Sequence, residues 1–153
     1  MKIQLSSPDI SDDDIRSVVS VLKTPNLSLG PVLERFERQI CKYSGAKYAV
    51  AVNSGTSALH LIIKSFGIGV GDEVITTPFS FISSSNCVLY EGAKPVFVDI
   101  DPKTYNIDPD LIESKINKKT KAILDVDVFA QPADWDSLRK IAKILGEEMR
   151  DEE

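Results

Sequence analysis

The feature that most constrains this chain is a fourfold alternation. Short apolar runs at residues 48–52, 73–76, 95–98 and 122–129 are each followed by a turn and then by a stretch with helical spacing. Runs of four to eight residues without polar alternation suit strands buried on both faces, and strands joined by helices must lie parallel, because a parallel pair cannot be closed by a tight turn. The pattern predicts an α/β fold: three layers, with a mostly parallel sheet flanked by helices.

The turns sharpen the expectation. Asn53-Ser54-Gly55-Thr56-Ser57 leads into a helix carrying Leu59, Ile62, Ile63 and Phe66, and Gly67, Gly69 and Gly71 lead out of it. Pro78 ends the second strand, residues 79–90 read as a helix, and Gly92 stops it. Asp108-Pro109 opens a further helix, and Asp134 caps a last one with Trp135, Leu138, Ile141, Ala142 and Leu145 facing inward. Upstream, Ser11 caps a helix with Ile15, Val18, Val19 and Leu22 on one face. Pro31 opens another with Leu33, Phe36, Ile40 and Tyr43, ending at Gly45. The domain reading is an N-terminal helical segment (residues 1–46), an incomplete cofactor-binding α/β domain (47–146) and a charged tail (147–153) without a helical stripe. An alternation that ends on a helix leaves the sheet short of a strand, which predicts an open, apolar edge.

Composition excludes several classes of function. At 153 residues and 42% hydrophobic content a single core is expected, and no apolar run approaches the roughly 18 residues of a membrane span. With no signal-peptide pattern either, a cytoplasmic protein is expected. A net charge of -5 without a basic cluster argues against a nucleic-acid surface. Cys41 and Cys87 lie within helical patterns, as reduced, buried thiols would, and His60 has no second histidine with which to build a metal site. The glycines at 67, 69 and 71 follow a helix and precede a strand, the reverse of a dinucleotide fingerprint.

The turn at residues 53–57 carries the clearest chemistry. A strand entering a helix through small residues presents unpaired N–H groups to an anion, and the hydroxyls of Thr56 and Ser57 add donors, so a phosphate can be held without a lysine. Simple capping of the helix by Ser54 or Thr56 explains the same residues.

Five segments in order resemble the DegT/StrS family of pyridoxal-phosphate-dependent sugar aminotransferases, of aspartate-aminotransferase fold type I. They are Leu29-Gly30-Pro31 with Phe36-Glu37; Asn53 to Leu59; Gly71 to Pro78; Gly92 to Asp101; and Gln131-Pro132-Ala133-Asp134. The resemblance implies that this is part of the large domain of such an enzyme, with Gly55, Thr56 and Ser57 on the phosphate of pyridoxal 5′-phosphate and Phe81 stacked on its ring. Stacking of that kind adds on the order of 1 kcal/mol beyond buried area. It also implies a nucleotide-linked sugar and glutamate as substrates in polysaccharide biosynthesis, and a homodimer. The family's Schiff-base lysine and the aspartate on the pyridine nitrogen are expected beyond this chain, so a fragment inactive alone is expected, of aminotransferase or dehydratase ancestry. Lys64, Lys94 and Lys121 lack the lysine's context and are expected at the surface. Asp127 and Ala130 stand where many members carry histidine and glycine.

Two other readings stay open. Asp99-Ile100-Asp101 after an apolar run fits a divalent-metal motif of a nucleotide-sugar transferase, and equally fits turn formers before Pro102. A non-catalytic remnant would bind a partner, or its own copy, through the open sheet edge.

Overall fold

The structure, a computed structural model, describes residues 7–151. The backbone divides into two compact units, Met1–Ala51 and Val52–Glu153.

The first unit holds α1 (Asp12–Leu22) and α2 (Pro31–Ser44). Ser11 and Asp14 form a reciprocal capping box: the Ser11 amide donates to the Asp14 carboxylate at 2.8 Å and the Asp14 amide to Ser11 Oγ at 3.3 Å. α2 starts on Pro31 and stops at Gly45, whose φ of 74° turns the chain out of the helix while its amide bonds Cys41 O. Neither helix buries a residue, and Ile15, Val18, Phe36 and Ile40 are 40 to 59% exposed. The expected stripes are present and uncovered. Cys41 is half-buried rather than buried; Cys87 is buried, and both thiols are free.

The expected strand at 48–52 does not form. Tyr48 and Val50 are 76 and 79% exposed, and no strand among the described residues pairs with them. An apolar run becomes a strand only when a neighbour accepts its backbone groups.

The second unit runs α3 (Gly55–Ser65), β1 (Glu73–Thr76), α4 (Ser83–Tyr90), β2 (Lys94–Phe97), 3-10 turns at Pro109–Leu111 and Glu113–Lys115, β3 (Thr120–Leu124), a third 3-10 turn at Val128–Ala130, and α5 (Trp135–Asp151). The three strands form one parallel sheet in the order β2-β1-β3, as the alternation requires. β1 is buried throughout and its side chains divide between two cores. Val74 packs with Ile63, Ile68, Cys87 and Val88 of the α3/α4 layer, and Ile75 with Val98, Ile107, Leu138 and Ile141 on the α5 side. At the start of the sheet Glu73 bonds Asn117 Nδ2 at 2.8 Å and Lys94 Nζ at 3.1 Å, and these two contacts hold its carboxyl below the usual range. α3 and α4 are tied by Glu91, which bonds His60 Nε2 at 2.5 Å and Lys64 Nζ at 3.3 Å. Gly92 must be glycine: at its φ of 76° a Cβ would sit 2.8 Å from Val70 Cγ2.

Several boundaries depart from the sequence expectation. α4 begins at Ser83, not near residue 79, because the Phe79 amide turns back to Thr77 Oγ1. The helix expected after Asp108 is two 3-10 turns, with Ile116 already extended. β3 ends at Leu124, and the chain then turns through Phe129 and Ala130 at φ of 53° and 61°. On α5 only Leu138, Ile141 and Leu145 of the expected face are buried; Trp135 and Ala142 lie off that stripe and are exposed. The helix continues through Asp151, so the first residues of the charged stretch extend α5. Their glutamate, methionine and arginine residues are all good helix formers.

Asp125, one residue beyond β3, is the least comfortable group. Both carboxylate oxygens are buried without a hydrogen-bond partner. Burial raises its pKa above the ordinary aspartate value, and the nearby charge of Asp127 raises it further.

Two stability measurements follow from these strained positions. Replacing Ala130 by glycine relieves a left-handed alanine, a conformation costing roughly 1–2 kcal/mol, against about 0.5–1 kcal/mol of added chain entropy. The urea midpoint of A130G rises by the equivalent of about 0.5–1 kcal/mol; an unchanged or lower midpoint contradicts the strain. For Asp125 the folded pKa is raised. Below the ordinary aspartate pKa of about 3.9 both states are protonated, and the cost of burying this group grows as pH climbs above it. Asp125→Asn is therefore more stable than the parent at pH 7 and equal to it at pH 3, as measured by denaturant titration at both values. A gain independent of pH rules out the buried-carboxyl account.

Candidate functional site

The parallel register brings two loops together. β1 and β3 are neighbours with Thr76 opposite Leu124, so the segments leaving their carboxyl ends emerge side by side. Open α/β sheets bind ligands at this end. Between the two segments lies a cleft of about 430 Å³, with Phe79 and Phe81 on one wall and Asp127 and Phe129 on the other. The Phe81 ring is 74% exposed and free to stack. Phe79, Tyr105 and Phe129 pack mutually with ring centroids 5.9 to 6.1 Å apart. Behind them the buried Asn106 accepts from the Val128 amide and donates to Gln131 O, both at 2.9 Å. This clamp fixes one wall of the cleft.

The turn before α3 has the expected local form. Ser54 is the N-cap, its Oγ accepting from the Ser57 amide at 3.1 Å. The Ala58 amide bonds Ser54 O, while the amides of Gly55 and Thr56 have no partner among the described residues. Ser57 Oγ donates to Asn53 Oδ1 at 2.7 Å and accepts from Ser54 Oγ at 3.0 Å. Two amides and the Thr56 hydroxyl thus have no acceptor among the described residues, and the Ser57 hydroxyl is held in place beside them. That donor set, at the positive end of an 11-residue helix, fits a phosphate monoester. Gly55 is demanded neither by its backbone, which is not left-handed, nor by crowding, since an added Cβ would meet nothing within 4 Å.

Other residues singled out in the sequence do other things. Asp99 Oδ1 accepts from the Ile100 amide and Asp101 Oδ1 from the Lys103 amide, each at 2.8 Å, so both close turns. A second cleft, also about 430 Å³, is lined by Asp101, Asp108, Asp110 and Asp134. Two of these are capping residues: Asp108 receives the Asp110 amide and Asp134 the Ser137 amide and hydroxyl. The Ser137 bonds lower the Asp134 pKa. Among the described residues no cluster of histidine, cysteine and carboxylate side chains could hold a metal ion. Lys64 and Lys94 are surface residues paired with Glu91 and Glu73, and Lys121 is exposed. No helix among the described residues is long and apolar enough to cross a membrane.

Sequence reasoning missed Asn106 and Asp125. An asparagine in a loop carries no signal of burial. Asp125 did leave one, a charge inside the run Ala122-Ile123-Leu124-Asp125-Val126, which was absorbed into an over-long strand.

Comparison with known proteins places these features. A spore coat polysaccharide biosynthesis protein of Bacillus subtilis, SpsC, is 44% identical over 92% of this chain and 36% of its own length. The UDP-2-acetamido-2-deoxy-3-oxo-D-glucuronate aminotransferase of Pseudomonas aeruginosa is 41% identical over 90% of this chain and 38% of its own length. The crystal structure of NtdA from Bacillus subtilis, with bound cofactor PMP, superposes with a TM-score of 0.83 at 38% identity, covering 88% of this chain and 32% of that one. The chain spans little more than a third of the length of the curated relatives it matches. Residues 8–146 match the family model throughout, and the chain belongs to the DegT/DnrJ/EryC1/StrS aminotransferase family.

Proposed function

We propose that this chain forms the cofactor-phosphate end of a pyridoxal-phosphate-dependent aminotransferase that aminates a keto group of a nucleotide-linked sugar, with glutamate as amino donor, in polysaccharide biosynthesis. The observation that carries this reading is the pair of amides at Gly55 and Thr56, at the start of α3, without a hydrogen-bond partner among the described residues. An added Cβ at position 55 meets nothing within 4 Å, so the fold itself does not require the glycine.

In this reading the Gly55 and Thr56 amides and the Thr56 hydroxyl bind the phosphate, and Ser57 contributes once its hydroxyl turns from Asn53. Phe81 orients the ring by stacking from one side. When bound, the cofactor supplies an electron sink that eases proton loss at the carbon bearing the amino group. The residues described act by binding and orientation. No lysine among these 153 residues matches the family's Schiff-base context, so this segment alone binds cofactor without turnover. This chain spans 36% of the length of SpsC, and the uncovered apolar faces of α1 and α2 favour association with further polypeptide, including a second copy.

Fluorescence titration with pyridoxamine 5′-phosphate and with pyridoxamine tests the reading without an aldehyde that would label surface lysines. Charged hydrogen bonds are each worth about 1.5–3 kcal/mol, so the phosphate ester binds at least about tenfold tighter, and Thr56→Ala loses about three- to tenfold of that. Equal affinity for the two compounds contradicts the phosphate site.

A further inference from the structure

The wall of the cleft opposite Phe81 is held in a shape that its own burial does not explain. Phe129 and Ala130 follow one another in left-handed backbone, at φ of 53° and 61°, although Phe129 is 80% exposed. For a residue other than glycine, each such conformation lowers the population of the local state by about 5- to 30-fold unless the surroundings impose it. Tyr105, whose ring meets those of Phe79 and Phe129, is left-handed as well, at φ 63°.

The surroundings act here through Asn106. Its side chain is buried, and both of its ends go to the strained segment: Oδ1 accepts from the Val128 amide and Nδ2 donates to the Gln131 carbonyl, the two residues that bracket Phe129 and Ala130. Asn106 is itself anchored, because its carbonyl accepts the Asp101 amide at 3.0 Å and the Tyr105 amide bonds the Asp101 carbonyl at 2.8 Å. Two further contacts, from the Gln131 amide to Val128 O and from the Ala133 amide to Asp127 Oδ1, close the 127–133 turn from within. The Asn106 bonds instead tie that turn to its neighbour, and their burial strengthens them.

We propose that Asn106 is a positioning residue for ligand binding: it keeps residues 128–131 in the conformation that forms the cleft, and weakening it lets the stored strain open that wall. The proposal rests on the cofactor reading for the identity of the ligand. When only a fraction of the molecules holds the competent shape, the apparent affinity falls by that fraction, so clamp and strain set the affinity together.

The test follows two ligands by amide-resolved NMR titration of the full chain: pyridoxamine 5′-phosphate, which carries ring and phosphate, and inorganic phosphate, which has no ring. In Asn106→Asp one oxygen still accepts from the Val128 amide, but an oxygen replaces the donor to the Gln131 carbonyl. Affinity for pyridoxamine 5′-phosphate falls by about fivefold, the population lost when one left-handed residue is set free, and affinity for inorganic phosphate is unchanged. Adding Ala130→Gly, which makes left-handed backbone easy to adopt, restores the affinity to within about twofold of the parent. A role confined to stability would not be rescued in this way. Circular dichroism melting shows whether the variants are folded. If N106D is not, hydrogen exchange in the parent decides: the Val128 amide exchanges at least about threefold more slowly with saturating pyridoxamine 5′-phosphate, and no more slowly with inorganic phosphate. Unchanged pyridoxamine 5′-phosphate affinity in folded N106D, equal losses for the two ligands, no recovery with A130G, or Val128 exchange indifferent to the ring overturns the proposal while the phosphate site stands. A parent that binds neither ligand overturns both.

Discussion

Everything in the second unit depends on β1 lying between two parallel neighbours. Four residues, Glu73 to Thr76, are buried on both faces and bonded on both edges, and they anchor two separate hydrophobic cores through Val74 and Ile75. Parallel pairing cannot be made locally. Each neighbour is reached through a long connection, so the strand order β2-β1-β3 commits α4 and then the 3-10 turns to cover the sheet on the way. The Glu73 contacts with Lys94 and Asn117 lock the starting ends of the strands together.

Because the strands run the same way, their carboxyl ends collect at one edge of the layer. That edge receives the loops of Phe81 and Asp127, which form the two walls of the cleft. The local costs gather at the same edge. Asp125 is buried without a partner, Thr76 Oγ1 likewise, and Phe129 and Ala130 adopt left-handed backbone. Strain and unsatisfied polar groups beside a cleft are the usual accompaniment of a binding edge, where side-chain placement is favoured over local comfort.

The legible parts of the sequence were those set by short-range physics. The Ser11 and Ser54 caps, Pro31 at a helix start, Gly45 and Gly92 at helix exits, and the four residues of β1 all stand where spacing and turn chemistry put them. The parallel sheet followed from alternation alone. What misled were features decided at a distance. The run at 48–52 looks like a strand but has no partner, and 122–129 looked longer than β3 because apolar residues continue past the point where Asp125 leaves the ladder. Hydrophobicity places Trp135 inward, yet the sheet accepts only one stripe of α5. The Ser54-capped turn into α3 is identifiable from its residue types. That the Ser57 hydroxyl bonds Asn53 while the Gly55 and Thr56 amides have no partner among the described residues depends on the local three-dimensional arrangement, which residue types do not reveal.

The proposed anion site at the first turn of α3 is built from backbone amides. Amide-resolved NMR during a titration with pyridoxamine 5′-phosphate addresses it directly. Saturable shifts are expected, largest at the Gly55 and Thr56 N–H resonances, with Ser57 following as its hydroxyl reorients. Those two resonances staying still while others shift, or no saturable shift at all, would contradict it.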